Sequence, residues 1–260
     1  MKLLPYISNT TYYYLFLYFI IYSFAGWVLE VIYCYSVNRR LVNRGFLYGP
    51  VCPIYGVAAV IVIIVLSPFS NNYILLFGGG LILSSLLEFI TGFVLEHFFK
   101  ARWWDYTDNK FNIMGYVCLK FSIFWAIITV IFIKFIYPPV DRFVHLLPHS
   151  FLEISYNVLL IVFVVDITAT INNLIQFRKI FNELYELSSE LKCNIETMKN
   201  KLVDTAKASI LEGKIKYLKE SYDKLMSRSN FKFRRIILAF PKVSSKSFGK
   251  IIDEIKERIL

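Results

Sequence analysis

Five long apolar runs separated by short polar stretches fill the first 175 residues and leave little choice of fold. A helix satisfies its own backbone hydrogen bonds, and crossing about 30 Å of hydrocarbon takes about 20 residues at a rise of about 1.5 Å each. Spans are expected at 12–37, 51–66, 73–99, 113–137 and 151–175. The second is short and opens with Pro50 and Pro53, so a tilted or re-entrant course is the alternative to a crossing, acceptable only where protein covers the backbone. Composition agrees, since 57% hydrophobic residues in a chain of 260 exceed what one soluble core of that length hides. The expected fold is all-α: a multi-pass transmembrane helix bundle of about five spans over residues 1–175, with a helical cytoplasmic tail over 176–260.

Charge is distributed unevenly. The stretch from Gln176 to Leu260 holds 19 basic and 11 acidic residues, a surplus of +8 out of the whole chain's +10. Short basic loops are retained in the cytoplasm. The loop 38–50 carries Arg39, Arg40 and Arg44, the loop 100–112 carries Lys100, Arg102 and Lys110, and the tail opens with Arg178 and Lys179. Five crossings put all three on one side, which predicts an outside N-terminus and a cytoplasmic C-terminus in the cell membrane. Lys2 alone is a weak start for a cleavable leader, so the first run reads as an anchor.

In the tail, Ile180, Leu184, Leu187, Leu191, Ile195, Met198 and Leu202 recur near a 3.5-residue period with charges between them. The pattern fits an amphipathic helix, either packing on itself or forming a homodimer. Gly213 is expected to interrupt its later part, and Pro241 with the Ser-rich stretch 244–247 to precede a last short helix near 251–260. Phe231–Phe240, with Arg234 and Arg235, suits the anionic inner leaflet.

Chemistry is sought among ionisable groups inside spans, which cost about 2.5 to 3.5 kcal/mol each at mid-membrane. Glu30, Glu88, Glu96, Lys120 and Asp166 qualify, all in the half expected to face the cytoplasm. Lys120 is readily explained as a snorkelling end group. Glu88 and Glu96 project to a broadly shared side of one helix, with Gly92 leaving room between them. The adjoining loops supply Asn43 and Arg44, whose donors suit a carboxylate or phosphate oxygen, and then Asp105 and Asn112. Trp103, Trp104 and Tyr106 fit an interfacial aromatic belt. The candidate polar site is therefore Glu30, Asn43, Arg44, Glu88, Glu96, Asp105, Asn112 and Asp166. The four cysteines lack ligand spacing, His97 beside Glu96 is an end-of-helix residue, and no metal site, cofactor signature or nucleic-acid-binding signature is present.

The run NRGFLYGPVCPIYG at 43–56, the glutamates of LEFITGFVLEHFF at 87–99, RWWDYTDNKFNIMGYVCLKFS at 102–122, Asp166, and FPKVSSKSF at 240–248 together resemble the bacterial family of CmpB-type ABC-transporter permeases. Thr107 stands where that family usually has Ser, and Asp108–Lys110 is less typical. The resemblance implies a permease or accessory membrane subunit working with a separate ATPase, since the chain has no G-x-x-x-x-G-K-[ST] phosphate loop. Two alternatives stay open. A membrane enzyme or binder would act on lipid head groups with Arg44 as phosphate clamp, and the Glu-bearing helix with its aromatic loop is faintly similar to VanZ-like proteins. A structural scaffold would pair its glutamates with Arg39, Arg44 or Arg102.

Overall fold

A computed structural model describes residues 9–39, 41–200, 205–240, 243–245 and 248–259. The described chain is almost wholly helical: α1 (Asn9–Asn38), α2 (Pro53–Leu66, continued by a 3₁₀ turn Ser67–Phe69), α3 (Tyr73–Phe99), α4 (Leu119–Ile131), a π-helical turn (Phe132–Ile136), α5 (Tyr137–His145), α6 (His149–Asn200), α7 (Thr205–Ala239) and α8 (Gly249–Ile259). One two-stranded antiparallel hairpin, β1 (Asn112–Ile113) and β2 (Val117–Cys118), pairs Asn112 with Cys118. Arg40, Lys2, Leu202 and Pro241 lie outside the described residues.

Among the described residues, four helical stretches are long and apolar enough to cross a membrane: Thr11–Ser36, Tyr73–Phe99, Leu119–His145 and His149–Met198. Pro53–Phe69 is apolar but shorter. Its 17 residues extend about 25 Å, just under the hydrocarbon thickness. The chain is a multi-pass membrane protein of all-α class.

The fourth run differs from its expected course at both ends. Residues 113–118 form the hairpin rather than a first helical turn, so the helix begins at Leu119. At the far end it passes through Pro138 and Pro139 to His145, where a loop was expected. Prolines lack the N–H that an interior helix needs, but the π-helical turn just before them shifts the hydrogen-bond register and lets them occupy the first turn of α5.

The residues divide into two units. The first comprises residues up to Val94 together with Trp104–Ile171. Its tightest seam joins α1 and α2. A Cβ on Gly56 would lie 2.1 Å from Ser23 Oγ and 2.4 Å from the Phe19 carbonyl, while one on Gly26 would strike the Tyr55 side chain. Small residues let membrane helices approach this closely and gain dispersion contacts that lipid cannot match. Around the seam, Tyr18, Tyr22, Ala59, Ile63 and Val144 form one buried cluster, and Val62, Leu66, Leu76 and Ile133 another.

The second unit comprises Leu95–Trp103 and Asn172–Leu260. Its buried stripe along α6 is Leu174, Phe177, Phe181 and Leu184, and α8 contributes Ile251, Ile252 and Ile255. Leu184 of the expected repeat lies in this stripe, Phe177 and Phe181 stack on each other at 4.2 Å, and Ile195 and Met198 further along α6 are exposed. α7 runs through Gly213 without a break, for a glycine costs an exposed helix only about 1 kcal/mol. Lys214 on α7 pairs with Glu190 on α6 at 2.8 Å. The short segment after α3 forms a two-way backbone bridge with the C-terminal segment: Arg102 N–H donates to Ser244 O at 2.7 Å and Ser244 N–H to Arg102 O at 3.0 Å. The Ser245 hydroxyl donates to Lys100 O and accepts the Phe248 N–H at the start of α8.

Candidate functional site

Within the first unit, polar groups gather where α1 ends, α2 begins, and the loop after α3 turns back. The packing of Leu66 against Leu76 and Gly79 fixes the level of α2 beside α3. Eleven residues back along α2 from Leu66 lies Tyr55, and nine on along α3 from Gly79 lies Glu88. At about 1.5 Å per residue the two sit at similar depth.

Glu30 on α1 is fully engaged. Arg44 Nη1 lies 3.0 Å from its Oε2, and the Tyr55 hydroxyl donates to its Oε1 at 2.7 Å. The Arg44 guanidinium also lies 5.8 Å from the centre of the Tyr33 ring. Asn43 organises the loop rather than a ligand: its Oδ1 accepts the Trp27 indole N–H at 2.7 Å and the Gly45 N–H at 2.9 Å, and its Nδ2 donates to Tyr48 O at 3.0 Å. Asp166 on α6 holds the next residues of that loop, accepting the N–H groups of Tyr48 and Gly49 at 2.8 Å each. A Cβ on Gly49 would come within 2.8 Å of Asp166 Oδ2, so a larger residue there would have to displace that carboxylate.

Glu88 on α3 has a different environment. The Tyr106 hydroxyl donates to its Oε1 at 3.0 Å, and its Oε2 is enclosed with no hydrogen-bond partner among the described residues. No described Lys, Arg or His forms an ion pair with it. On the same face of α3, Ser85 donates to Ser122 of α4 at 2.7 Å, and Gly92 lies against Tyr116 and Trp104. Burial, then the nearby charge of Glu88 and its hydrogen bond, and more remotely the charges of Cys118 and Glu30, push the Tyr106 phenol above its ordinary value of 10.

The loop that carries Tyr106 is built by the other two candidates. Asp105 Oδ1 accepts the N–H and the hydroxyl of Thr107 at 3.0 and 2.7 Å. Asn112 donates to the carbonyls of Thr107 and Asn109 at 3.0 and 2.8 Å and accepts the Gly115 N–H at 3.1 Å. These local bonds fold the turn, so Asp105 and Asn112 shape the loop while Tyr106 reaches the helix. Trp104 adds its indole N–H to Tyr116 O at 2.9 Å. In the second unit, Glu96 is ion-paired with Arg102 and Trp103 packs edge-on against Phe240 at 4.9 Å.

The eight polar candidates thus separate by role. Glu30, Arg44 and Glu88 lie in the polar cluster, Asn43, Asp105, Asn112 and Asp166 fold its loops, and Glu96 belongs to the second unit. Sequence reading passed over Tyr55, although it lies in the 43–56 run; its position as a lone hydroxyl among apolar neighbours on a short helix was the available signal. It also passed over Asp141, which accepts the hydroxyls of Tyr18 and Tyr137 and lies 3.4 Å from His145 Nδ1. No group of three or more His, Cys, Asp or Glu suited to a metal ion occurs among the described residues.

No curated protein and no solved structure matches the chain. A family model described as "Putative ABC-transporter type IV" matches residues 17–171, a stretch that contains every residue of the polar cluster and its loops. Covering more than half of the 260 residues, that match places the chain in this ABC-transporter type IV family of membrane proteins.

Proposed function

We propose that the chain is a membrane-embedded permease or accessory subunit of an ABC transport system, with ATP hydrolysis supplied by a separate chain and with Glu30, Arg44, Tyr55, Glu88 and Tyr106 as its polar site. The observation that carries this reading is that two carboxylates on separate apolar helices, Glu30 and Glu88, each accept a tyrosine hydroxyl. Intramembrane ionisable groups are expensive and mark pathways more often than they serve packing. The loops bearing Arg44 and Lys110 favour a cytoplasmic placement of the site, with the N-terminus outside and the basic tail inside. Residues 176–260 would then form the cytoplasmic domain, and a homodimer through the tail would draw on Ile195 and Met198, which stay exposed on α6.

A scaffold reading draws support from the pairing of Glu30 with Arg44 and of Glu96 with Arg102. Glu88, without such a partner, is what favours the transport reading over it. The lipid head-group reading needs Arg44 as a phosphate clamp, and the engagement of Arg44 with Glu30 weighs against that.

Affinity capture of the tagged chain from membranes in mild detergent tests the proposal. A co-purifying ATPase bearing a G-x-x-x-x-G-K-[ST] loop is expected, and Glu88→Gln should lower its turnover several-fold while capture persists. Full biological activity from the purified chain alone would overturn the reading.

A further inference from the structure

Two of the three glutamates on α1 and α3 have arginine partners, and the third has none. Glu30 meets Arg44 and Glu96 meets Arg102, whereas Glu88 receives only the Tyr106 hydroxyl on Oε1 and nothing on its enclosed Oε2 among the described residues. A carboxylate enclosed with one oxygen unsatisfied is costly to keep charged; further hydrogen-bond donors, a bound cation or a proton relieve that cost, and the described residues supply a single donor. Among the described residues, no Lys, Arg or His forms an ion pair with Glu88. Arg44 is committed to Glu30, and Lys120 lies 5.7 Å from the Phe121 ring without pairing to Glu88. Phe121 in turn stacks on Tyr106 at 4.8 Å, which closes that side with an aromatic pair. The titratable groups that pack here from the loop are Tyr106, which donates to Glu88, and Tyr116, which lies against Phe89 and Gly92. Neither of these is cationic.

We infer that Glu88 binds a monovalent cation taken from outside the chain, a proton or an alkali ion, and that the 102–118 loop is its gate. Tyr106 is the contact between ion and loop: it donates to Glu88, so a charge arriving on the carboxylate weakens that bond and loosens the turn that Asp105 and Asn112 hold. Trp104 and Tyr116, lying against Gly92 one turn along α3, would register the same change. The inference deepens the reading of the polar site and rests on that site lying in the membrane, yet it needs no ATPase partner.

The test uses the full chain alone in lipid nanodiscs, so a missing ATPase and a missing cation site give different results. In one arm pH is varied at fixed choline chloride, and in the other sodium or potassium replaces choline at fixed pH. Thermal midpoint and the emission of Trp104, assigned with Trp104→Phe, are followed in both. One arm should move the wild-type midpoint by on the order of 3 °C across a hundredfold change in the ion, and which arm responds identifies the cation. Glu88→Gln should abolish that response, and Tyr106→Phe should keep it with its half-maximal concentration displaced about threefold or more. A response unchanged in Glu88→Gln, or no wild-type response in either arm, overturns the inference. Should Glu88→Gln fail to accumulate, an undisplaced half-maximal concentration in Tyr106→Phe overturns it as well.

Discussion

Tyr55 and Glu30 join α2 to α1 through a hydroxyl-to-carboxylate hydrogen bond of 2.7 Å, and Arg44 completes the arrangement from the following loop at 3.0 Å. A double-mutant cycle on Glu30→Gln and Arg44→Met should therefore show coupling of about 1–3 kcal/mol, because removing one partner leaves the other charge half-buried and unpaired. Arg44→Met alone should be the more harmful single change, and unfolding in mixed detergent micelles measures all four corners.

The α1–α2 seam makes a sharper prediction about glycine. Gly56→Ala should cost about 1–3 kcal/mol and lower membrane abundance, since its Cβ would meet Ser23 Oγ and backbone at 2.1 and 2.4 Å. Gly78→Ala, with nothing within 4 Å, should leave abundance unchanged. Comparable losses from both would mean that α1 and α2 do not pack as described.

Asp166 should behave as a loop clamp. Asp166→Ala strands the N–H groups of Tyr48 and Gly49 and should cost about 1–3 kcal/mol, while Asp166→Asn keeps one acceptor and should cost less. A cysteine introduced at Tyr48 should be labelled faster in the alanine variant than in the parent.

In the second unit, Tyr222 donates to Glu254 at 2.7 Å, and burial followed by that bond pushes its phenol above the ordinary value of 10. The sign follows from the direction. A group whose folded value is raised contributes stability that is intact below pH 10 and is lost as pH climbs above it. Alkaline titration should thus loosen α8 from α7, and Tyr222→Phe should lose that alkaline response at a cost of about 1 kcal/mol near neutrality. Hydrogen exchange of α8 amides is the readout.

Membrane orientation is checked by thiol labelling from outside. A cysteine at Asn71 should react and one at Asn109 should not; the reverse pattern would place the polar site on the outer face.

The spans were legible in the sequence because hydrocarbon enforces length and apolarity residue by residue, and Tyr73–Phe99 begins and ends where the hydropathy does. The glutamates stood out for the same reason. Arg44 and Arg102 were also legible as partners for them, but the tyrosine partners were not: Tyr55 lies 25 residues from Glu30, and Tyr106 lies 18 from Glu88 across a turn whose shape depends on side-chain bonds. Pro138 and Pro139 read as loop because local rules see a missing N–H and cannot see the π-helical turn that accommodates it. In the tail, Leu184 of the expected repeat is buried with Phe177 and Phe181, while Ile195 and Met198 further along α6 are exposed.

The Arg102–Ser244 bridge carries a consequence in time. The Ser245–Lys100 bond beside it joins residues 145 apart. At about 5–20 residues per second, the ribosome delivers the second partner roughly ten seconds or more after the first. The backbone of Arg102 must wait through the synthesis of α4 to α7 before it is paired. Messages truncated just before Val243 should therefore yield chains that insert normally yet are cleaved near Arg102 by quality-control proteases.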